Sequence, residues 1–200
     1  MNLLISSIIQ IILFSLMPFI WWLVTARKEA NLFEWIGLKR INGPNGSQAI
    51  IWMLGIMAAF LVLSVFVLKS VSNVETATSI FAGSGAAAIP GIMMYAILST
   101  SLPEEILFRG FLLKRLSGKI GFATGNALQS IIFGLMHGVM FFATVGIVKA
   151  ILIVVFTGAI GWCMGFVNEK KAGGSILPSW CIHAVANLFS GICSAFMLFQ

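Results

Sequence analysis

The sequence predicts an all-α, polytopic membrane helical bundle of about six transmembrane helices, and three observations predict it. The chain is 60% hydrophobic and only 9% charged, with a mean hydropathy of +1.05. Its apolar residues gather into six runs of roughly 20 residues, the length that crosses a bilayer as a helix. These runs lack the alternation of a barrel strand, so a helix is the form that satisfies their backbone inside hydrocarbon. One membrane domain spanning 1–200 follows.

The first run, Leu3–Val24, reads as a retained span, because Met1–Gln10 lacks the basic start and small-residue cleavage site of a signal peptide. After it, Leu32, Phe33 and Ile36 share a helical face beside Trp35, which suits a short helix in the inner interface or a loop anchored by Trp35. Gly43-Pro44-Asn45-Gly46 breaks any helix before the second span, Ala49–Leu68. Asn73–Gly85 is a small, polar external loop without evident chemistry. The remaining spans are Ala88–Arg109 or longer, Phe122–Phe142, Gly146–Val167 and Ile176–Phe199. Pro18 and Pro90 mark bends or helix starts.

Basic residues sort by loop. Arg27, Lys28, Lys39, Arg40, Lys114, Arg115, Lys119, Lys170 and Lys171 occupy the first, third and fifth connections, against Lys69 and Lys149 in the second and fourth. That asymmetry puts the odd loops in the cytoplasm and both termini outside. It also accounts for the net charge of +6 without nucleic acid. Cys163, Cys181 and Cys193 lie in apolar stretches with no CxxC spacing, so neither a disulfide framework nor a thiolate metal site is indicated.

Function is signalled by charge in the wrong solvent. The chain has six acidic residues, and Glu104 and Glu105 sit inside a span, where a carboxylate costs at least about 2.5–3.5 kcal/mol. The two histidines, His137 and His183, are also in apolar runs. The midpoint between Glu105 and His137 is Gly121, in a basic loop, so helices meeting there carry both residues at similar depth. Allowing about eight residues for the turn places them roughly 18 Å from the cytoplasmic face, with His183 about 10 Å deep. The four groups then converge in the cytoplasmic half of the bilayer. Glu105 and Arg109 are an i,i+4 pair, as are His183 and Asn187, and Phe133 lies one turn before His137. Gly134 and Gly138 let another helix approach closely.

Each feature has a plainer use. A buried Glu–Arg pair also serves as an interhelical tie, a lone intramembrane His as a hydrogen bond to a neighbour, and Asn187 as packing glue. Cys181, two residues before His183, points to a different helical face and is a poor nucleophile candidate.

The motifs resemble those of the CAAX-protease and bacteriocin-processing (CPBP) intramembrane proteases. Glu104-Glu105-Ile106-Leu107-Phe108-Arg109 is similar to their EExxxR, Phe133-Gly134-Leu135-Met136-His137 to FxxxH, and His183-Ala184-Val185-Ala186-Asn187 to HxxxN, in that order. The resemblance covers about 92–191, half the chain, which is short for the family's eight-helix members. It implies a catalytic core with a polar cavity opening to the cytosol and endoproteolysis of a lipidated, prenylated or otherwise hydrophobic peptide. Peptide hydrolysis there would use Glu104 or Glu105 as general base, with His137 holding or sharing the water; the resemblance places the base on Glu104, with Glu105 tied to Arg109. His183 and Asn187 would orient the peptide or stabilise the oxyanion.

Other expectations follow from composition and family together. The protein is integral to a membrane, most simply a bacterial plasma membrane, with lipid and a hydrophobic peptide as partners. Zinc is a candidate cofactor through Glu104, His137 and His183, although HExxH is missing and a metal-free, glutamate-activated water is the favoured alternative. Two rival classes remain. One is a non-catalytic scaffold or bacteriocin self-immunity protein on the same fold; the other is a small transporter relaying protons through its buried Glu and His.

Overall fold

The computed structural model describes residues 2–41, 46–71 and 74–199, and among them there is no strand. The helices are α1 (Leu3–Thr25), α2 (Leu32–Trp35), α3 (Gly46–Ser70), α4 (Gly85–Ile120), α5 (122–145), α6 (147–170) and α7 (Leu177–Ala195). The all-α membrane bundle is therefore what the chain forms. Four apolar stretches are long enough to cross a membrane: Leu3–Thr25, Gly46–Ser70, Gly85–Ile120 and Phe122–Lys170. The last holds α5 and α6, which meet at Gly146 (φ 75°, ψ 171°). Helix α7 carries the polar His183 and Asn187 and falls below that apolarity, in keeping with its largely buried position. The break expected at Gly43–Asn45 lies outside the described residues; Gly46 opens α3.

Several boundaries differ from the sequence reading. The third span runs the whole of Gly85–Ile120, well past Arg109. It is separated from α5 by Gly121 alone (φ 81°), a left-handed conformation that glycine adopts without penalty. With almost no residues spent on a turn, Glu105 stands sixteen helical residues from Gly121 rather than the roughly twelve allowed above, and so lies farther from that end. Pro90 starts the α-helical part of α4, whereas Pro18 is buried inside α1.

Glycine sets the α5–α6 contact. A Cβ at Gly134 would strike the Val154 carbonyl, and one at Gly138 the Val154 side chain, so the two helices pack backbone to backbone. The pairs Gly134–Gly158 and Gly138–Val154 are both centred on Gly146, which is the signature of an antiparallel hairpin.

The connections gather at two ends. At one end, Ile176 N donates to Gly37 O at 2.8 Å and Ser175 Oγ to Lys39 O at 2.6 Å. Lys114 Nζ there donates to Glu169 Oε1 at 2.7 Å and Gly174 O at 2.8 Å. At the other end, Leu3 lies against Gly91, Met197 against Gly83, and Lys69 over the Phe199 ring. The loops rich in Lys and Arg thus share one end, and both termini share the other. Helix α2 does not lie free at an interface. Ile36, just after it, is buried with Ile106 and Ile176, and Gly110 leaves room for the Ile36 carbonyl, while Phe33 faces outward.

Candidate active site

Helix α4 changes pitch where the carboxylates sit. Two π-helical segments, Tyr95–Ser101 and Ile106–Leu113, flank one α-helical turn, Leu102–Glu105. Pro103 has no N–H to donate to the preceding turn, which loosens the ladder there. The wider π turns re-aim the side chains that follow, a distortion concentrated at functional sites in proteins generally. Neighbouring Glu104 and Glu105 consequently do different things. Glu105 is fully enclosed (0% exposed), while Glu104 reaches the wall of a cleft (9%).

Glu105 is held from two sides. Its Oε1 accepts from Arg109 Nη1 at 2.9 Å and from His183 Nδ1 at 2.9 Å. Arg109 is itself fully buried, and its guanidinium lies 4.1 Å above the Phe133 ring. That cation–π contact gives the charge a second partner in a site where isolated charge is costly. Phe133 also packs at a tilt against His137 (4.5 Å between centroids) and meets His183 edge-on (5.9 Å), so one ring contacts the guanidinium and both imidazoles.

Acceptors fix the tautomers. His137 Nδ1 is 2.9 Å from the Phe133 carbonyl, which accepts only, so its proton is on Nδ1. His183 Nδ1 faces a carboxylate and is protonated there for the same reason. Both rings then present Nε2 to one atom, Glu104 Oε2, at 3.9 Å from His137 and 3.8 Å from His183. Among the described residues Glu104 Oε2 has no hydrogen-bond partner. Distances of this size are too long for direct hydrogen bonds and suit a shared water.

The donor set of two imidazoles and a carboxylate is of a kind that zinc takes, but its spacing is not. Bonds of about 2.0–2.1 Å in a tetrahedral site put ligand atoms about 3.3–3.4 Å apart, less than the 3.8 and 3.9 Å seen from Glu104. Among the described residues no group of three or more His, Cys, Asp or Glu is arranged to hold an ion.

The structure brings together all seven residues singled out from sequence: Glu104, Glu105, Arg109, Phe133, His137, His183 and Asn187. Asn187 Nδ2 donates to Ser101 Oγ at 3.1 Å, which commits one of its two amide hydrogens. Ser101 was not singled out; it is buried one turn before Glu104, and a small hydroxyl at that spacing from an intramembrane carboxylate was the available signal. Cys181 is exposed, away from the site.

Two lobes meet at His137, His183 and Asn187. Both are mostly apolar and share Thr157 and Ser190; one, of about 910 Å³, adds the hydroxyls of Thr76, Thr78 and Thr100, and the other, of about 720 Å³, adds Phe60, Ile160, Met164 and Phe189. The 74–84 connection, expected to be without chemistry, therefore forms part of the cleft.

A family model, Type II CAAX prenyl endopeptidase Rce1-like, matches residues 86–189, the segment that carries every one of these site residues. The chain belongs to the Rce1-like family. It is thus an integral membrane protein of a CAAX-type intramembrane protease family. No curated protein and no solved structure matches the chain.

Proposed function

We propose that the chain is an intramembrane endopeptidase that hydrolyses a lipidated or hydrophobic peptide with a glutamate-activated water. The observation that carries this is Glu104 Oε2: a carboxylate oxygen without a hydrogen-bond partner among the described residues, faced by two imidazole Nε2 atoms, on the wall of a cleft.

Glu104 acts as the base. A water between Glu104 and His137 gives its proton to Glu104 while its oxygen attacks the peptide carbonyl. The negative charge that develops needs donors already in place. The tautomers with the imidazole proton on Nδ1 leave Nε2 of His137 and His183 without one, so the second amide hydrogen of Asn187 is the donor at hand. When the tetrahedral intermediate collapses, protonated Glu104 delivers its proton to the leaving nitrogen. Bond made, bond broken and proton are then all accounted for. Glu105, Arg109 and Phe133 touch no reacting atom; they set the orientation of His183 and exclude water from the floor of the site. The host membrane is proposed to be a bacterial plasma membrane with the basic loops in the cytoplasm and both termini outside.

The test compares membrane and secreted peptides from cells making the wild-type chain with those making Glu104→Gln at equal abundance. Cleavage products confined to wild type establish the peptidase and identify its substrate. Identical peptide profiles, with a deletion phenotype rescued by either version, replace it with a scaffold or immunity role.

A further inference from the structure

At the end of the bundle that gathers the basic connections, the lysines do two different things. Lys114 is spent inside the protein, on Glu169 Oε1 and the Gly174 carbonyl. Lys170 and Lys171, which follow Glu169, have no carboxylate partner among the described residues. Each is laid over aromatic rings instead. Lys170 Nζ stands 4.5 Å from the centre of the Phe122 ring, and Lys171 Nζ stands 5.6 Å from that of Trp52 and 5.7 Å from that of Phe166. Contacts of this kind hold an ammonium in place without neutralising it.

The rings beside Lys171 form one surface, and it faces the membrane. Trp162 stacks on Phe166 at 5.8 Å with the planes 7° apart, and Phe166 meets Trp52 of α3 edge-on at 5.4 Å. Trp22 and Trp180 direct their indole N–H groups to the carbonyls of Ala30 and Ile97. Trp52 and Trp162 are turned outward instead, 46% and 43% exposed. Trp162, Phe166 and Lys170 follow one another at intervals of four, so they climb a single face of α6 in that order. The climb from Trp162 to Lys170 is about 12 Å at 1.5 Å per residue. Val155, two turns deeper on the same flank, is exposed as well. From the middle of the bilayer outward the face therefore offers apolar surface, then indole, then ammonium.

We propose that this face of α3 and α6 binds an acidic glycerophospholipid of the adjoining leaflet, its phosphate against Lys170 and Lys171 and its chains along Trp162 and Val155. The complement is in order as well as in sign: acyl chain, ester and glycerol, then phosphate. Indoles favour the interfacial level, where an amphipathic ring meets both chain and headgroup. A phosphodiester supplies the negative charge that the two ammoniums lack, whereas a zwitterionic headgroup brings its own cation to a place that already holds two. Lysines at the end of α6 also suit its dipole, but that accounts for neither the outward indoles nor their alignment below the cations. An acidic peptide or a nucleic acid in water would meet the lysines and leave the rings unused.

Quenching of tryptophan fluorescence by brominated lipid measures this on the full chain in nanodiscs. The chain has six tryptophans, and subtracting the signal of Trp52→Phe/Trp162→Phe isolates the two at the site. Brominated phosphatidylglycerol is expected to quench that difference at a lower mole fraction than brominated phosphatidylcholine, with a preference of roughly fivefold for each lysine. Lys170→Gln/Lys171→Gln should abolish the preference and Lys170→Arg/Lys171→Arg should keep it, which separates lost charge from disturbed packing. Lys28→Gln removes an exposed cation at the end of α1, which packs on α4, and should leave the preference unchanged. Equal quenching by the two lipids overturns the proposal. So does an equal loss with Lys28→Gln, which would make the preference a property of the whole basic end. A preference removed by inorganic phosphate at constant ionic strength would assign the lysines to a free anion and overturn the lipid. No cleavage is measured, so the outcome is independent of the peptidase reading.

Discussion

His183 donates from Nδ1 to Glu105 Oε1 across 2.9 Å, and this bond fastens α7 to α4 at the very oxygen that Arg109 engages. One carboxylate thereby positions an imidazole and neutralises a buried cation together. Its neighbour Glu104, by contrast, makes no hydrogen bond through Oε2 among the described residues. The pair divides into a structural carboxylate and a chemical one, and the division has consequences that stability and activity measurements separate.

Glu105→Gln leaves fully buried Arg109 without a counter-charge, and Arg109→Met leaves Glu105 with His183 alone. Each is expected to cost about 3–5 kcal/mol, the usual penalty for breaking a buried pair from one side. The double variant should be less unstable than the sum of the two, by a coupling of about 0.5–3 kcal/mol. Denaturant unfolding of the purified protein in one detergent measures all four chains. Strict additivity would show that the 2.9 Å contact contributes no coupling.

Glu104→Gln and His137→Ala should behave in the opposite way. Neither breaks the buried Glu105–Arg109 pair, and Gln keeps the shape of Glu, so Glu104→Gln should shift unfolding by less than about 1 kcal/mol. His137→Ala also loses the bond to the Phe133 carbonyl and the ring contact beside it, about 1–3 kcal/mol. Turnover should fall by roughly 10²–10⁴-fold, the range for loss of a general base. Equal turnover in wild type and Glu104→Gln would move the base elsewhere.

What was legible in the sequence was what depends on period and spacing. Glu105–Arg109 and His183–Asn187 fall on common helical faces at i,i+4, whatever the surrounding pitch does to the rest of α4. Gly134 and Gly138 announced a close contact because no other residue permits one. The sorting of Lys and Arg anticipated which connections share an end. Three things depended on tertiary placement and were not legible. The π-helical turns around Pro103 carry no strong sequence mark, yet they send Glu104 and Glu105 into different environments. Ile36 looks like an interfacial residue until Ile106 and Ile176 are seen to bury it. The part of the 74–84 connection in the cleft emerges only when Thr78 folds against Ser190.

The α5–α6 contact can be tested by size. A Cβ at Gly138 would collide with the Val154 side chain, so Gly138→Ala should destabilise by about 1–3 kcal/mol, as overpacking does. Adding Val154→Ala should recover part of the loss by removing the colliding methyls. Unfolding midpoints of the single and double variants decide this, and a double variant no better than Gly138→Ala would place the strain at the Ala150 carbonyl instead, the next contact of that Cβ.

The spacing of Glu104 from both imidazoles also makes a prediction about metal. Purified, active protein should carry well under one zinc per chain, and cleavage should survive dialysis against a chelator. Stoichiometric zinc that disappears in His137→Ala would instead mean that the side chains close by several tenths of an ångström around an ion. Elemental analysis of both proteins distinguishes the two.

Ser101 tests how Asn187 is aimed. Its buried hydroxyl accepts one hydrogen of the Asn187 amide at 3.1 Å, which leaves the other directed at the cleft. Ser101→Ala removes that acceptor and frees the amide to rotate. A hydrogen bond of this kind contributes about 0.5–1.5 kcal/mol, so kcat should fall by roughly 2- to 13-fold, with KM little changed if Asn187 acts on the oxyanion. Stability alone does not identify this role, since removal of a hydrogen-bonded buried serine lowers it whatever the serine positions. The discriminating comparison is made in an Asn187→Ala background, where Ser101 has no amide left to position. There Ser101→Ala should lower kcat no further. A second, independent loss would assign Ser101 a task of its own at the carboxylates, and Asn187 would no longer be its only route to the reaction.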